Sequence, residues 1–345
     1  MKLRFLAVGM ITTSTALAGL AGPLTATPAV ASSGTTLRVG SFNIATVAGD
    51  KTRHGSHKKW KYRRTGVASQ ILSRHLDVVG LQEASQSRIY RRTMKYGVNQ
   101  FSDLVGKLNA MGGHYAVTKK AEYNCRRAWS KQHCHYKYRG ASADTRIIYN
   151  TSTVKLVRAG SYRYKHNRRA HPRFLATATF SKGGHHFFFA DTHLEPHGKA
   201  TRKAQWGELI KQVNRRKNGH QVVVVGDFNS SKFDRWTRRY LPKMKHNGYG
   251  DTINQSYGRS TVRSHRAAST HNAWINSFNG WRRNVKRYGY YKAKRNVGNS
   301  IDWIFASNSM HVSMWEVVSN YNSHYRVKGT IPSDHNMIRA DLKLG

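Results

Sequence analysis

The chain has 345 residues and carries 59 Lys and Arg against 16 Asp and Glu, a formal net charge of +43. That length holds one large α/β domain or two smaller ones, and that charge selects polyanionic partners: nucleic acid, an anionic membrane surface or an acidic cell-wall polymer. The basic residues are spread through the chain, which excludes a ribosomal-type basic tail as their source, and beyond the first twenty residues no stretch is apolar enough to span a bilayer.

The chain opens on Met1-Lys2-Leu3-Arg4, a basic start, followed by an apolar run to Leu20 and the small-residue sequence Ala29-Val30-Ala31. This is the three-part pattern of a secretory signal peptide, expected over residues 1–31, with an exported mature chain over 32–345. No low-complexity linker divides the mature chain, so one catalytic-size domain is expected, without a stable membrane anchor and as a monomer.

Residues 37–44 alternate as a strand ending near Asn43. The segment 51–64 (KTRHGSHKKWKYRR) then interleaves Trp60 and Tyr62 with cations, and residues 60–75 have a helical apolar face. A short buried strand over 76–81 stops at Gln82-Glu83, and Phe101, Leu104, Val105 and Leu108 give an amphipathic helix. Cys125 and Cys134 lie in a basic loop; in an exported chain a disulfide between them is the default. Strands are expected over 145–149 and 154–157, then a hairpin, 174–180 with 186–190, turning at Lys182-Gly183-Gly184.

The hairpin's second strand runs straight into Asp191-Thr192-His193-Leu194-Glu195-Pro196. Trp206, Leu209, Ile210 and Val213 mark a helix that ends near Asn218-Gly219. Next comes QVVVVGDFNSS, whose valines read as a strand buried on both faces. Asp227 and Asn229, two residues apart at its end, are expected to project to one side, with an Asx-turn as the plainer reading. Residues 232–299 show little periodicity and read as long loops with short elements on the substrate side. They include 281–295 (WRRNVKRYGYYKAKR), a second basic and aromatic segment. Strands return over 300–306, 312–318 and 337–342.

Cations neutralise phosphates and rings stack on bases, which makes Trp60, Arg282 and Arg283 candidate substrate contacts. The plainer reading is a solvated basic face with aromatics packed beneath it. Two similar halves of mixed strands and helices point to two sheets stacked face to face with helices outside.

Polar residues collect at strand ends: Asn43, Glu83, His193, Asp227, Asn229, Asp302, Asp334 and His335. Each alone has a structural excuse, such as capping a turn or a satisfied buried histidine. Their ordered contexts, SFN, LQE, THLEP, GDFN, SIDWIF and SDH, resemble the endonuclease/exonuclease/phosphatase family over nearly all of the mature chain. The resemblance implies a four-layer α/β sandwich of the deoxyribonuclease I type, and metal-assisted in-line hydrolysis of a phosphoester.

By the same resemblance Glu83 and Asp334 are metal ligands and Asn43 supports Glu83. Such hard oxygen donors suit Mg²⁺ or Mn²⁺, or Ca²⁺, in preference to zinc. Asp227 handles the attacking water, Asn229 holds that water and the phosphate, and His335 contacts the phosphate with Asp302 fixing its ring. His193 is a second catalytic histidine, and both histidines with the metal would meet the developing charge. Its carboxylate partner is open: Asp144 is the nearest counterpart, while Asp191 and Glu195 read as alternating away from it or lying past the strand. The fold leaves the substrate open. Charge favours an exported nuclease acting on DNA or RNA; a phospholipid such as sphingomyelin, or polyanion binding without catalysis, are the alternatives.

Overall fold

The computed structural model describes residues 34–47, 57–85, 98–119, 142–168, 172–253, 266–286 and 298–345. The signal-peptide reading and the Cys125–Cys134 pair lie outside them. The first half comprises β1 (Thr35–Asn43), α1 (Trp60–Leu72), β2 (Val78–Gln82), α2 (Gln100–Ala110), β3 (Tyr115–Val117), β4 (Arg146–Asn150) and β5 (Lys155–Arg163). There follow β6 (Phe174–Lys182), β7 (His185–His193), α3 (Lys199–Arg216), β8 (Gln221–Asp227), α4 (Tyr240–His246), β9 (Tyr249–Asp251) and β10 (Ser269–His271). The chain closes on β11 (Asp302–Ser307), β12 (Val312–Val318) and β13 (Met337–Leu344).

The strands form a seven-stranded sheet, β10-β12-β13-β1-β2-β4-β3, and a six-stranded sheet, β5-β6-β7-β8-β11-β9. The expected α1 stops at Leu72 because the chain turns over Ser73–His75, with His75 at φ 48°. Strand β5 is longer than the expected 154–157, since its pairing with β6 resumes past an irregularity at Val157 and continues to Arg163. Segment β3 has three residues, too few for a periodic signal.

Alternation along each strand explains the layering. In β8, Val223 and Val225 enter the core between the sheets, while Val222 and Val224 pack outward with Trp206 and Leu209 of α3. In β2, Val78 faces the inter-sheet core, and Val79 and Leu81 pack with Val67 and Ile71 of α1. Helix, sheet, sheet and helix give the expected four-layer sandwich. Buried valines on both faces are what the QVVVVGD run encodes.

The sheets approach closely at Gly80. A Cβ there would lie 2.3 Å from Val225 Cγ2 and 2.7 Å from the Asp191 carboxyl carbon. Larger side chains have no room at that crossing.

Candidate active site

The period-two alternation that fills the inter-sheet core also sets the site. Val223 and Val225 precede Asp227 on one face of β8, Phe187 and Phe189 precede His193 on β7, and Ile304 and Ala306 follow Asp302 on β11. Leu37 and Val39 do the same for Asn43 on β1. All four polar residues therefore emerge where the gap between the sheets opens. Register completes the row: Asp227 pairs with His193 across the parallel β7–β8 ladder and with Asp302 across the antiparallel β8–β11 ladder.

Asp227 is the hub. Its Oδ2 accepts from Asn43 Nδ2 at 3.1 Å and lies 3.5 Å from His193 Nε2 and 3.7 Å from His335 Nε2. Its Oδ1 accepts from the Asn229 N–H at 2.9 Å, so the Asx-turn and the site are one structure. Asn229 stands beyond the strand at φ 47° and does not follow the strand alternation expected for it. Its Nδ2 donates to Leu194 O at 2.9 Å, which orients the carboxamide. Gly226 is required for space, since a Cβ there would meet Thr192 O at 2.1 Å.

The two histidines differ in charge. His335 Nδ1 bonds to Asp302 Oδ2 at 2.9 Å. Burial disfavours the His335 cation, but Asp302, Asp227 and Asp334 outweigh it and push the ring up to about 10. Burial, aided by the charges of Arg173 and His335, holds His193 well below the ordinary histidine range, so His193 is neutral. Burial and the neighbouring Asp302 carry Asp227 up to about 7, against the pull of His335.

Asn43 joins this row to the other sheet. Its Nδ2 also reaches Glu83 Oε1 at 3.3 Å, and Thr46 N–H donates to Glu83 Oε2 at 3.0 Å. Glu83 sits at φ 56°, a left-handed conformation that costs a glutamate roughly 1–3 kcal/mol and marks a backbone held by its surroundings. Ser333 Oγ donates to Asn43 O at 2.6 Å and lies 3.2 Å from Asp334 Oδ1, so Asp334 flanks Asn43 from the last loop. In a chain with 59 Lys and Arg, neither Glu83 nor Asp334 forms an ion pair with a basic side chain among the described residues. Two half-buried, oxygen-only carboxylates left without a cation fit a hard divalent ion. Asp227, Asp302 and His335 also have ligand atoms within 4.8 Å of one another. There a bonded, cationic imidazole would oppose a metal.

The structure thus brings together Asn43, Glu83, His193, Asp227, Asn229, Asp302, Asp334 and His335. It does not bring Trp60 to them. Trp60 is fully buried and its indole N–H donates to Asp103 Oδ2 at 2.8 Å, tying α1 to α2, so no base can stack on it. Arg283 spends its Nη1 on Val327 O and Gly329 O at 2.6 and 2.7 Å and serves the loop, while Arg282 is exposed. None of the three carboxylates considered for His193 partners it. Asp191 does share its face of β7, contrary to expectation, but lies one step deeper and accepts from Gln82 Nε2 at 2.7 Å. Glu195 accepts from His197 N–H at 3.1 Å, and Asp144 lies within electrostatic reach of Asp191. His193 Nδ1 has no hydrogen-bond partner among the described residues.

Two supports escaped the sequence reading. Arg63, fully buried between Trp60 and Trp281, donates to the carbonyls of Ile44, Ala45 and Pro332, fastening the Asn43 loop to the Asp334 loop. Asn279 N–H donates to Asp334 O at 2.7 Å, and the exposed Phe278 ring meets His335 edge-on at 5.0 Å. Within the unperiodic 232–299 stretch nothing distinguished Phe278 and Asn279 from loop.

The model of the endonuclease/exonuclease/phosphatase family matches residues 40–335. Among solved structures, a protein of that family from Bacteroides thetaiotaomicron is 18% identical, covering 90% of this chain and 99% of its own, with a TM-score of 0.62. A mannosyl-6-phosphatase from the same organism is 18% identical, covering 89% and 99%, at TM-score 0.59. TDP2 of D. rerio, solved with a single-strand DNA product, is 16% identical, covering 90% and 99%, at TM-score 0.53. No curated protein matches this chain in sequence.

Proposed function

The chain belongs to the endonuclease/exonuclease/phosphatase family and is a hydrolase of phosphoester bonds, and from that premise we propose that it is an exported, divalent-metal-dependent phosphodiesterase that cuts nucleic acid. The observation that carries the substrate is the net charge of +43. A polymer with one phosphate per nucleotide makes use of that much positive charge, where a single head group does not. Export rests on the signal-peptide pattern of residues 1–31.

Glu83 and Asp334, with Asn43 supporting Glu83, would hold Mg²⁺ or Mn²⁺, or Ca²⁺, and the ion supplies charge to the phosphoryl oxygens. Asp227 accepts the proton of the attacking water; a carboxylate raised to about 7 suits a base working near neutral pH. Asn43 and Asn229 fix the two oxygens of that carboxylate, so it meets the water in one orientation. His335, kept cationic by Asp302, donates to the phosphoryl group or the leaving oxygen. His193, neutral and buried, offers a hydrogen bond from the β7 side.

The test is digestion of supercoiled plasmid DNA by purified protein in Mg²⁺ or Mn²⁺, with EDTA as control. Nicking and linearisation that stop with EDTA and weaken steeply with added salt are expected. Plasmid left intact in both metals sinks the nucleic-acid reading. Release of phosphocholine from sphingomyelin vesicles under the same conditions would move the substrate to a phospholipid.

A further inference from the structure

Among the described residues, the arginines packed around the site are spoken for, with one exception. Arg63 is occupied by backbone carbonyls, Arg283 by Val327 and Gly329, and Arg202 Nη1 by Glu195 O and Pro196 O at 2.6 and 2.8 Å. Arg173 has its backbone fixed as firmly: its N–H donates to Asn167 Oδ1 at 2.7 Å, and its carbonyl accepts from Tyr164 N–H at 3.1 Å. The loop that supplies those partners is tied to α3, where Glu208 accepts from the N–H groups of Lys165 and His166 at 2.8 and 3.0 Å. Yet the Arg173 guanidinium makes no hydrogen bond or ion pair among the described residues, and its Nε is buried without a partner. A half-buried cation on a pinned backbone, left without an anion, calls for an anion from outside.

Its place says which one. Arg173 immediately precedes β6, and β6–β7 register pairs Leu175 with Thr192, so residue 173 comes level with the chain just past His193. Its charge is felt at the His193 ring. On the opposite flank His335 supplies the other cation. Among the described residues no other cation free of a partner stands on the β7 side, and Arg173 fills that role. An arginine fork matches two phosphoryl oxygens, and its charge persists at any working pH.

We propose that Arg173 is a phosphate-binding residue of this active site, its guanidinium taking a non-bridging oxygen of the scissile phosphate on the His193 side. This rests on the phosphoester-hydrolase reading of the site and adds the residue that grips the phosphate opposite His335.

Inorganic phosphate is the probe, titrated calorimetrically in EDTA against wild type, Arg173→Ala and Arg173→Gln, the last keeping the aliphatic stem should the alanine variant fold poorly. Phosphate affinity is expected to fall about tenfold or more in both variants, with unchanged melting temperature in the absence of phosphate. On bis(p-nitrophenyl) phosphate, kcat should fall by roughly 10²-fold, and added guanidinium ion should restore part of it to Arg173→Ala. Phosphate affinity, kcat and KM equal to wild type in Arg173→Gln overturn the assignment, as does a wild type that binds no phosphate. Plasmid left uncut while phosphate binding still depends on Arg173 would sink the nucleic-acid reading alone.

Discussion

The two sheets repeat one plan and end it with different chemistry. Each centres on a parallel pair, β1–β2 in one and β7–β8 in the other, with an antiparallel strand from later in the chain beside it, β13 or β11. The first pair ends in Asn43 and Glu83, a half-buried carboxylate with an amide for company and no proton donor of its own. The second ends in His193 and Asp227, with Asp302 alongside, all buried. In the first half charge stays accessible, where a metal can answer it. In the second, two carboxylates stand side by side away from water, where ionisation is costly and therefore adjustable by neighbours. Duplicated strand ends give the platform, and burial decides which end binds a cation and which moves a proton.

The largest effects should fall on that division. Asp227→Asn removes the base and should lower kcat by roughly 10²–10⁴-fold while leaving Mn²⁺ affinity, read by calorimetry, close to wild type. Glu83→Gln should do the reverse: metal affinity falls at least about 10-fold, and much of the rate returns at high Mn²⁺. If Asp227→Asn weakens Mn²⁺ binding as far as Glu83→Gln does, the halves do not divide the work as described.

A pH profile at saturating metal sharpens the same contrast. Asp227 must be ionised, so kcat/KM should rise as pH increases through about 7. His335 must be protonated, so it should fall as pH increases through about 10. Asp302 raises both groups, so Asp302→Asn should move both limbs of the bell toward acid. A profile whose limbs stay in place would remove Asp302 from the electrostatics of the site.

The proton-handling half was more legible in the sequence than the rest. Four consecutive valines before Asp227 announce a doubly buried strand, and alternation from Val225 and Phe189 carries Asp227 and His193 to one face. Trp60 misled because a basic segment rich in aromatics reads alike whether its rings face a polymer or a neighbouring helix, and only Asp103, forty-odd residues away, settles it. Asp191 misled for a related reason: strand parity puts it on the right face, but only the second sheet shows that Gln82 claims it. Arg173 gave no signal at all. It is one of several cations in RRAHPR, and what sets it apart from Arg168, which lies 3.7 Å from Glu195 Oε1, is that its guanidinium has no partner among the described residues, a property of the folded chain.

The smallest predicted effect lies where the two halves touch. Beneath the site Asp191 of β7 meets Gln82 of β2, in the crossing that Gly80 keeps narrow. Burial drives Asp191 well above the ordinary carboxylate range, against the Gln82 hydrogen bond, and its Oδ2 and Gln82 Oε1 both lack partners among the described residues. The folded protein therefore holds this proton more tightly than the unfolded chain, whose aspartate releases it near 3.9. Stability due to this group is intact below that pH and is lost as pH rises toward the folded value. Asp191→Asn keeps an acceptor for Gln82 Nε2, adds a donor that Gln82 Oε1 can take, and has no proton to lose. It should unfold at a higher temperature than wild type at pH 8, by the equivalent of about 1–3 kcal/mol, with the gain shrinking as pH falls toward 4. A variant less stable at pH 8 would mean that the ionised carboxylate is wanted there, and that the charge handling assigned to one half extends through the interface into the other.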